Sequence, residues 1–290
     1  MRPFLSRRRL IQSLPASALV PGIAPAQVGA LSPSSGIASA GGAYVNPRKV
    51  LLWENTRREF REALEGGSLK AVIVPTGSTE QHNEHLAMIH DTASVTLVAQ
   101  QAALQLYPQV LVATPVSVGI SGHWMDRKGT LTLKKETFLA VVFEICESLK
   151  IHGVKNILVL NGHGGNVAPL KESEAEFRQK LGINLRVNAY WDAYPKEVVM
   201  KYMESGKLPG HAAEYETSFA MAAFPERVRW EDVDYAKAKP RLGIRTEAAA
   251  QQDETFAKEA KLATTAKGEI MIKMAVNWVA ERVRKLIAEG

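Results

Sequence analysis

A single cysteine, Cys146, occurs in 290 residues, so no intrachain disulfide is possible. It lies inside the helical pattern "KETFLAVVFEICESLKIHG" and reads as a small core residue, not a nucleophile. Aromatic residues are sparse at 7%, and no basic stripe is interleaved with them, which argues against a nucleic-acid partner. No segment has the apolar length of a mature membrane-spanning helix. Several catalytic signatures are also missing. "HNEHL" is not the H-E-x-x-H of zincins. "GISGH" has His123 where a nucleophile elbow needs glycine, and "NGHGGN" lacks both G-x-G-x-x-G and a P-loop lysine. Serine hydrolases and nucleotide enzymes are thereby disfavoured.

What remains is an ordinary globular composition, 46% hydrophobic and 23% charged, with enough chain to bury a sizeable core. Residues 1–26 have a basic start, a modestly apolar middle and an Ala-Pro-Ala stop, the layout of a secretory signal. Ser6-Arg7-Arg8-Arg9-Leu10-Ile11 resembles the twin-arginine export signal, which predicts a periplasmic or secreted protein. Removing that leader takes away Arg2, Arg7, Arg8 and Arg9 and no acids, lowering the formal net charge from +6 to about +2. Residues 27–48, rich in Gly, Ser, Ala and Pro, read as a flexible linker or arm before a single domain at 49–290.

Within that domain, short apolar runs alternate with amphipathic helical patterns. "KAVIVPTG", "QVLVATPV", "VKNILVLNG" and "INLRVNAYW" read as strands, with helices between them. This predicts an α/β fold, a three-layer α/β/α sandwich around a mostly parallel sheet. "AKGEIMIKMAVNWVAERVRKLIAEG" forms a last helix with Ile272, Ala275, Val276, Val279, Val283 and Leu286 on one face. Residues 225–265 are polar and poorly periodic, and no element is predicted there.

The chemistry-bearing residues collect at predicted strand ends, where sites form in open α/β sheets. "PTGSTEQHNEHLAMIHD" carries Glu80, His82, His85, His90 and Asp91. Glu80 and His82 are two apart, so on an extended backbone they face one point, and Asp91 stands just before a helix whose N-terminus favours its charge. "LVLNGHGGN" places His163 among turn-permitting glycines, with Asn166 as a predicted helix cap. "GHAAEYETS" adds His211, Glu214 and Glu216, and "GISGHWMDRKGT" adds Ser121, His123 and Trp124. Glu80, His82, Asp91, His163 and one later glutamate exceed the needs of one tetrahedral ion but suit two divalent ions, Zn, Mn or Fe, sharing a carboxylate. His90 and His152 read as hydrogen-bonding residues, and His85 as a ligand-orienting or merely satisfied polar group.

These four segments resemble, in order and spacing, the signature blocks of the creatininase (creatinine amidohydrolase) family over roughly residues 50–225. The resemblance implies a two-metal amidohydrolase site, often in a hexameric assembly, and hence a homo-oligomer. It implies Glu80, His82, Asp91 and His163 as metal ligands, with Asp91 as the bridge. Glu216 would be a carboxylate near the metals, His211 a proton-handling residue, and Ser121 and His123 parts of the substrate loop. Trp124 and Trp191 are further candidates for that pocket. Creatinine-hydrolysing members carry a Tyr and a metal-binding Glu where this chain has Gly164 and Gly165, so Glu216, or else Glu214, must supply the absent ligand. Ala213 stands where the fourth block usually has glycine. These departures point to a substrate other than creatinine, and the Gly-Gly form is similar to the family's deformylase and peptide-processing branches.

The expected reaction is cleavage of a C–N amide bond in a cyclic amide, formamide or small amide by a metal-bridged hydroxide. His211 or Glu216 would shuttle the proton. The departures also motivate a second reading, an exported metal- or ligand-binding protein on the same scaffold without turnover. A metallophosphoesterase is a third, weaker alternative. A small-molecule amide is the expected partner, with no membrane attachment in the mature form.

Overall fold

The computed structural model describes residues 48–234 and 247–290, together with the backbone of two short strands, β1 (Ala38–Ser39) and β2 (Gly42–Ala43), paired antiparallel. The predicted export signal and most of the predicted linker lie outside the described residues. Among the described residues, no helix is long and apolar enough to cross a membrane.

Helix α1 (Arg57–Glu65) opens with a reciprocal capping box between Thr56 and Glu59 and closes at Gly66, as the pattern predicts. Four parallel strands follow among the described residues: β3 (Ala71–Thr76), β4 (Val110–Val112), β5 (Asn156–Asn161) and β6 (Asn184–Ala189). Their order is β4-β3-β5-β6. Helices α2 (His90–Gln105), α3 (Lys135–Ile151) and α4 (Val167–Leu181) make the three crossovers.

The two-residue pleat assigns each strand's side chains to opposite faces. Ala71, Ile73, Leu158 and Leu160 face one core with α2 and the C-terminal helix α8 (Thr265–Glu289). Val72, Val74, Ile157 and Val159 face the other, with α3 and α4. Both faces are buried, so the strands read as continuous apolar runs. Each fully buried Ile, Leu or Val is worth roughly 1.5–3 kcal/mol over exposure, and a charge at Leu160 would break the first core.

Right-handed crossovers explain the layering. The chain steps from β3 outward to β4 with α2 on one face. It then returns past β3 to β5 and on to β6, with α3 and α4 on the other. The reversal lies between β3 and β5, and crevices at such a switch point open at the carboxyl ends of the strands.

On α8, Ala275, Val276, Val279, Val283 and Leu286 are buried as predicted, joined by Met271 and Ala280, while Ile272 is half-buried. Two further helices follow β6: α5 (Lys196–Tyr202), packed on the first core, and α6 (Glu214–Ala223), which carries Glu216. The segment without a predicted element contains α7 (Glu247–Ala260). Its buried positions are Ala249, Asp253, Ala257 and Ala260, at helical spacing. Small residues and a paired acid give no hydropathy signal, which hides the helix from periodicity.

Candidate metal centre

The loop after β3 carries Glu80 and His82, α2 begins with His90 and Asp91, and His163 follows β5. Asp91 is thus inside the first helical turn, not ahead of it. Gly162 makes the junction possible, because a Cβ there would meet the Asp91 carbonyl oxygen and Val95 Cβ at 2.7 Å. Close approach of β5 to α2, not a sharp turn, is what that glycine permits.

Asp91 sits between two imidazoles. Its Oδ1 lies 3.1 Å from His82 Nε2, and its Oδ2 lies 2.9 Å from His163 Nδ1. Each imidazole also faces a second carboxylate: His82 Nε2 is 3.5 Å from Glu216 Oε2, and His163 Nδ1 is 3.4 Å from Glu80 Oε1. Two groups of potential ligands result, Glu80–Asp91–His163 and His82–Asp91–Glu216, with all members buried.

The opposite nitrogen of each imidazole is occupied by main chain. His82 Nδ1 donates to the Glu80 carbonyl at 3.1 Å, and His163 Nε2 donates to the Ile120 carbonyl at 3.0 Å. A hydrogen bond at one nitrogen leaves the lone pair on the other, so both rings aim a basic nitrogen at the shared space. Ser121, fully buried, lies behind His163 at 3.3 Å from its Nε2 and is hydrogen-bonded to Ser78.

A third group, Glu80–His82–His211, is geometrically possible, with His211 Nδ1 3.6 Å from Glu80 Oε1. Its hydrogen bonds separate it from the other two. Asn83 N–H donates to Gln81 Oε1 at 3.0 Å, which leaves the Gln81 amide to donate to His211 Nε2 at 2.7 Å. His211 therefore accepts at Nε2 and carries its proton on Nδ1, facing Glu80. A protonated nitrogen does not ligate a metal. Burial, reinforced by the charge of His82, holds His211 neutral, well below the usual histidine range.

The electrostatics of the bare cluster show what it lacks. Burial alone would discharge His82, but the charges of Asp91, Glu216 and Glu80 outweigh it and raise its pKa to about 10. His163 is likewise raised against the pull of burial by Asp91 and Glu80. Burial would raise Asp91, yet His82 and His163 hold it low, whereas burial pushes Glu216 up to about 8. Glu80 Oε2 is buried without a hydrogen-bond partner. The carboxylates draw protons onto both imidazoles, and a divalent cation held among them would supply that positive charge instead. The donor set of imidazole and carboxylate suits Zn, Mn or Fe.

Other predicted residues fall around this centre. Glu214 Oε1 and Oε2 accept from the backbone N–H groups of Glu204 and Ser205, and Lys267 pairs with Oε1 at 2.6 Å. That carboxylate braces the loop before His211, so Glu216 is the one turned to the cluster. Ala213 has a negative φ of −98°, so its Cβ is accommodated where the family block has glycine. Gly165 has no room for a side chain: a Cβ would stand 2.0 Å from the Ile120 carbonyl oxygen and 2.6 Å from His163 Nε2.

His85 is buried and bonded to Thr217 at 2.9 Å, and His90 contacts Ser94 Oγ at 3.3 Å. His152 ends α3 at the surface, its ring edge-on to Phe60 at 6.4 Å. His123 is exposed, with its ring parallel to that of His163 at 6.1 Å. Trp124 stacks on His211 at 4.1 Å. Trp191 instead packs edge-on against Tyr190 and onto the aliphatic core shared with α8.

One expectation needs correction. Asn166 is at the start of α4 but makes no side-chain cap. Its Oδ1 accepts from Ile120 N–H at 2.9 Å and its Nδ2 donates to the Gly77 carbonyl at 3.0 Å. It ties together the loops that carry the ligands, a use that local sequence does not reveal.

Residues 53–283 match the Creatininase family, described as creatinine amidohydrolase. Among curated proteins, the chain is 32% identical over 187 residues to the 3-dehydro-scyllo-inosose hydrolase of Thermotoga maritima. That match covers 62% of this chain and 58% of the relative. It is 28% identical over 177 residues to the mycofactocin precursor peptide peptidase of Mycobacterium ulcerans, covering 59% and 65%. To the creatinine amidohydrolase of Pseudomonas putida it is 25% identical over 256 residues, covering 82% and 97%. The matched region thus spans under two thirds of the first two relatives. A crystal structure of creatinine amidohydrolase superposes with a TM-score of 0.70 at 24% identity, covering 82% of this chain and 98% of that one.

Proposed function

The chain belongs to the creatininase family, and from that premise we propose that it is a metal-dependent amidohydrolase cleaving a C–N bond in a cyclic amide, formamide or other small amide. The observation that carries this reading is the division of Asp91 between His82 and His163, each imidazole facing a further carboxylate. Glu80, Asp91 and His163 would hold one divalent ion, and His82, Asp91 and Glu216 a second. When bound, such a pair polarises a carbonyl and lowers the pKa of water.

The chain's own groups account for the rest. His211, neutral and with its Nδ1–H facing Glu80, would donate a hydrogen bond to the substrate atom on which charge develops. Gln81 fixes that tautomer from the far side of the ring. Burial of the cluster excludes bulk water and strengthens each of these interactions. His123 and Trp124 border the approach, and Ser121 steadies His163 from behind. The lack of space at Gly165 sets this centre apart from one with a glutamate there and favours a substrate other than creatinine.

The test is a screen of protein loaded with Zn, Mn or Fe against lactams, formamides and short peptides, with metal content measured in parallel. Release of amine or acid from any of them supports the reading. Full metal occupancy with no release would leave a metal- or ligand-binding protein instead. We also propose twin-arginine export of a homo-oligomer; cell fractionation and light scattering test those two points.

A further inference from the structure

Helix α7 lies over the centre, although its sequence carries none of the family's motifs. Besides the pairing of Lys207 with Glu259, two attachments come from loops of the site. Arg127 Nη2 pairs with Asp253 Oδ1 at 2.8 Å and also donates to the Ala249 carbonyl and Gln252 Oε1, each at 3.2 Å. Asn83, next to His82, donates to the Asp253 carbonyl at 3.2 Å. The buried side of α7 is otherwise mostly alanine, which provides little apolar anchorage. Directional bonds to the site loops thus help to fix where this helix lies.

So placed, α7 directs one large ring inward. The Phe256 centroid is 5.5 Å from the His211 ring and 6.3 Å from Trp124, both edge-to-face. Trp124 lies flat on His211, and the Arg127 guanidinium covers Trp124 at 4.6 Å. His211 and Trp124 are each under a tenth exposed, while Phe256 is half-buried. A group attached to an amide near His211 Nδ1 would meet these two aromatic rings first.

We propose that Phe256 is a specificity-determining residue that, with Trp124, walls the space beside His211 and Glu80 and limits the bulk of the group carried next to the scissile amide. Arg127 and Asp253 are positioning residues that hold α7 in place. The favoured substituents are planar or apolar, since they meet the Phe256 ring. The nature of the ligand rests on the amidohydrolase reading; the boundary of the pocket does not.

The experiment compares metal-loaded wild type with Phe256→Ala and Phe256→Leu in two assays. One is hydrolysis of formamide, a five-membered lactam and N-formylphenylalanine. The other is calorimetric binding of acetohydroxamate and benzohydroxamate, which needs no turnover. In Phe256→Ala, preference should move toward the bulkier compound by about tenfold, through KM and affinity and not kcat, with metal content unchanged. Phe256→Leu should fall between. If both variants stay folded and metal-loaded with both preference ratios within about twofold of wild type, the proposal is overturned. Wild type that binds hydroxamates but hydrolyses nothing defeats the amidohydrolase reading, while the hydroxamate ratio still decides the role of Phe256. Metal-loaded protein that binds neither hydroxamate overturns both.

Discussion

Glu216 Oε2 stands 3.5 Å from His82 Nε2, bringing the first turn of α6 to the His82 side of the cluster. The same oxygen accepts the Ala212 N–H at 2.6 Å, so its position is set by the backbone that follows His211.

Asp91→Ala should lose metal at both positions, since one carboxylate serves two imidazoles. Changes to residues that merely support a metal ligand cost about 10–100-fold in affinity or activity, so losing this one should exceed about 100-fold. Elemental analysis together with turnover checks it. Retention of full metal content would disprove the bridging role.

Glu216→Gln and Glu214→Gln should separate cleanly. The first should lose metal at the His82 side with little change in thermal stability. The second should keep its metal and lose about 1–3 kcal/mol, because Lys267 and two backbone N–H groups lose a charged acceptor. Denaturant titration and metal content, measured on both variants, decide between the two assignments.

Gly165→Glu would not rebuild the family's other ligand set. With the Ile120 carbonyl 2.0 Å from the new Cβ, the loop must move, at a cost of about 1–3 kcal/mol. It should also bind metal less well than wild type. A crystal structure with a glutamate ligand at 165 would refute this.

Gln81→Glu should reverse the His211 tautomer, since a carboxylate accepts from Nε2 where the amide donates. With Nδ1 stripped of its proton, kcat should fall by about 10²-fold or more, the usual worth of a preorganised hydrogen-bond donor. KM and metal content should change little, and equal losses in kcat and metal would instead indicate a collapsed site.

Metal-free protein should lose stability as pH rises. His82 has a folded pKa of about 10 and His163 is also raised, so the stability they contribute is complete below the unfolded histidine value of about 6.5. It disappears as pH climbs through the folded values. Glu216, raised to about 8, adds a loss that begins above the unfolded carboxylate value of about 4.3 and ends near its folded value. His85 and His90, lowered by burial to about 4 and about 3, act oppositely and lose stability as pH falls below about 6.5. Scanning calorimetry should find a maximum in weak acid for metal-free protein. With divalent metal bound, the alkaline loss should vanish, because the ion replaces both imidazole protons.

Much of this was legible in sequence because it depends on short-range rules. Short apolar runs such as "VIV" and "ILVL" predict buried strands, and the intervening amphipathic patterns predict the helices. Glu80 and His82 two apart announce a common direction. By contrast, α7 was invisible because its inner positions are Ala and a paired Asp. Asn166 looked like a cap because capping is what asparagine does locally, whereas its partners are Ile120 and Gly77 in loops from other strands.

The amino-acid sequence by itself determined the kind of chemistry: which donors are present, that they follow strands, and that the layers are helix, sheet and helix. Only the tertiary structure decided the pairings, namely Asp91 between His82 and His163, Glu216 and not Glu214 on the cluster, and Phe256 against His211. The reason is one of range. Propensity, pleat and capping act within a few residues, but which distant side chains meet is set by the order of strands and the point where the chain reverses, and that emerges only when both faces of the sheet are covered at once.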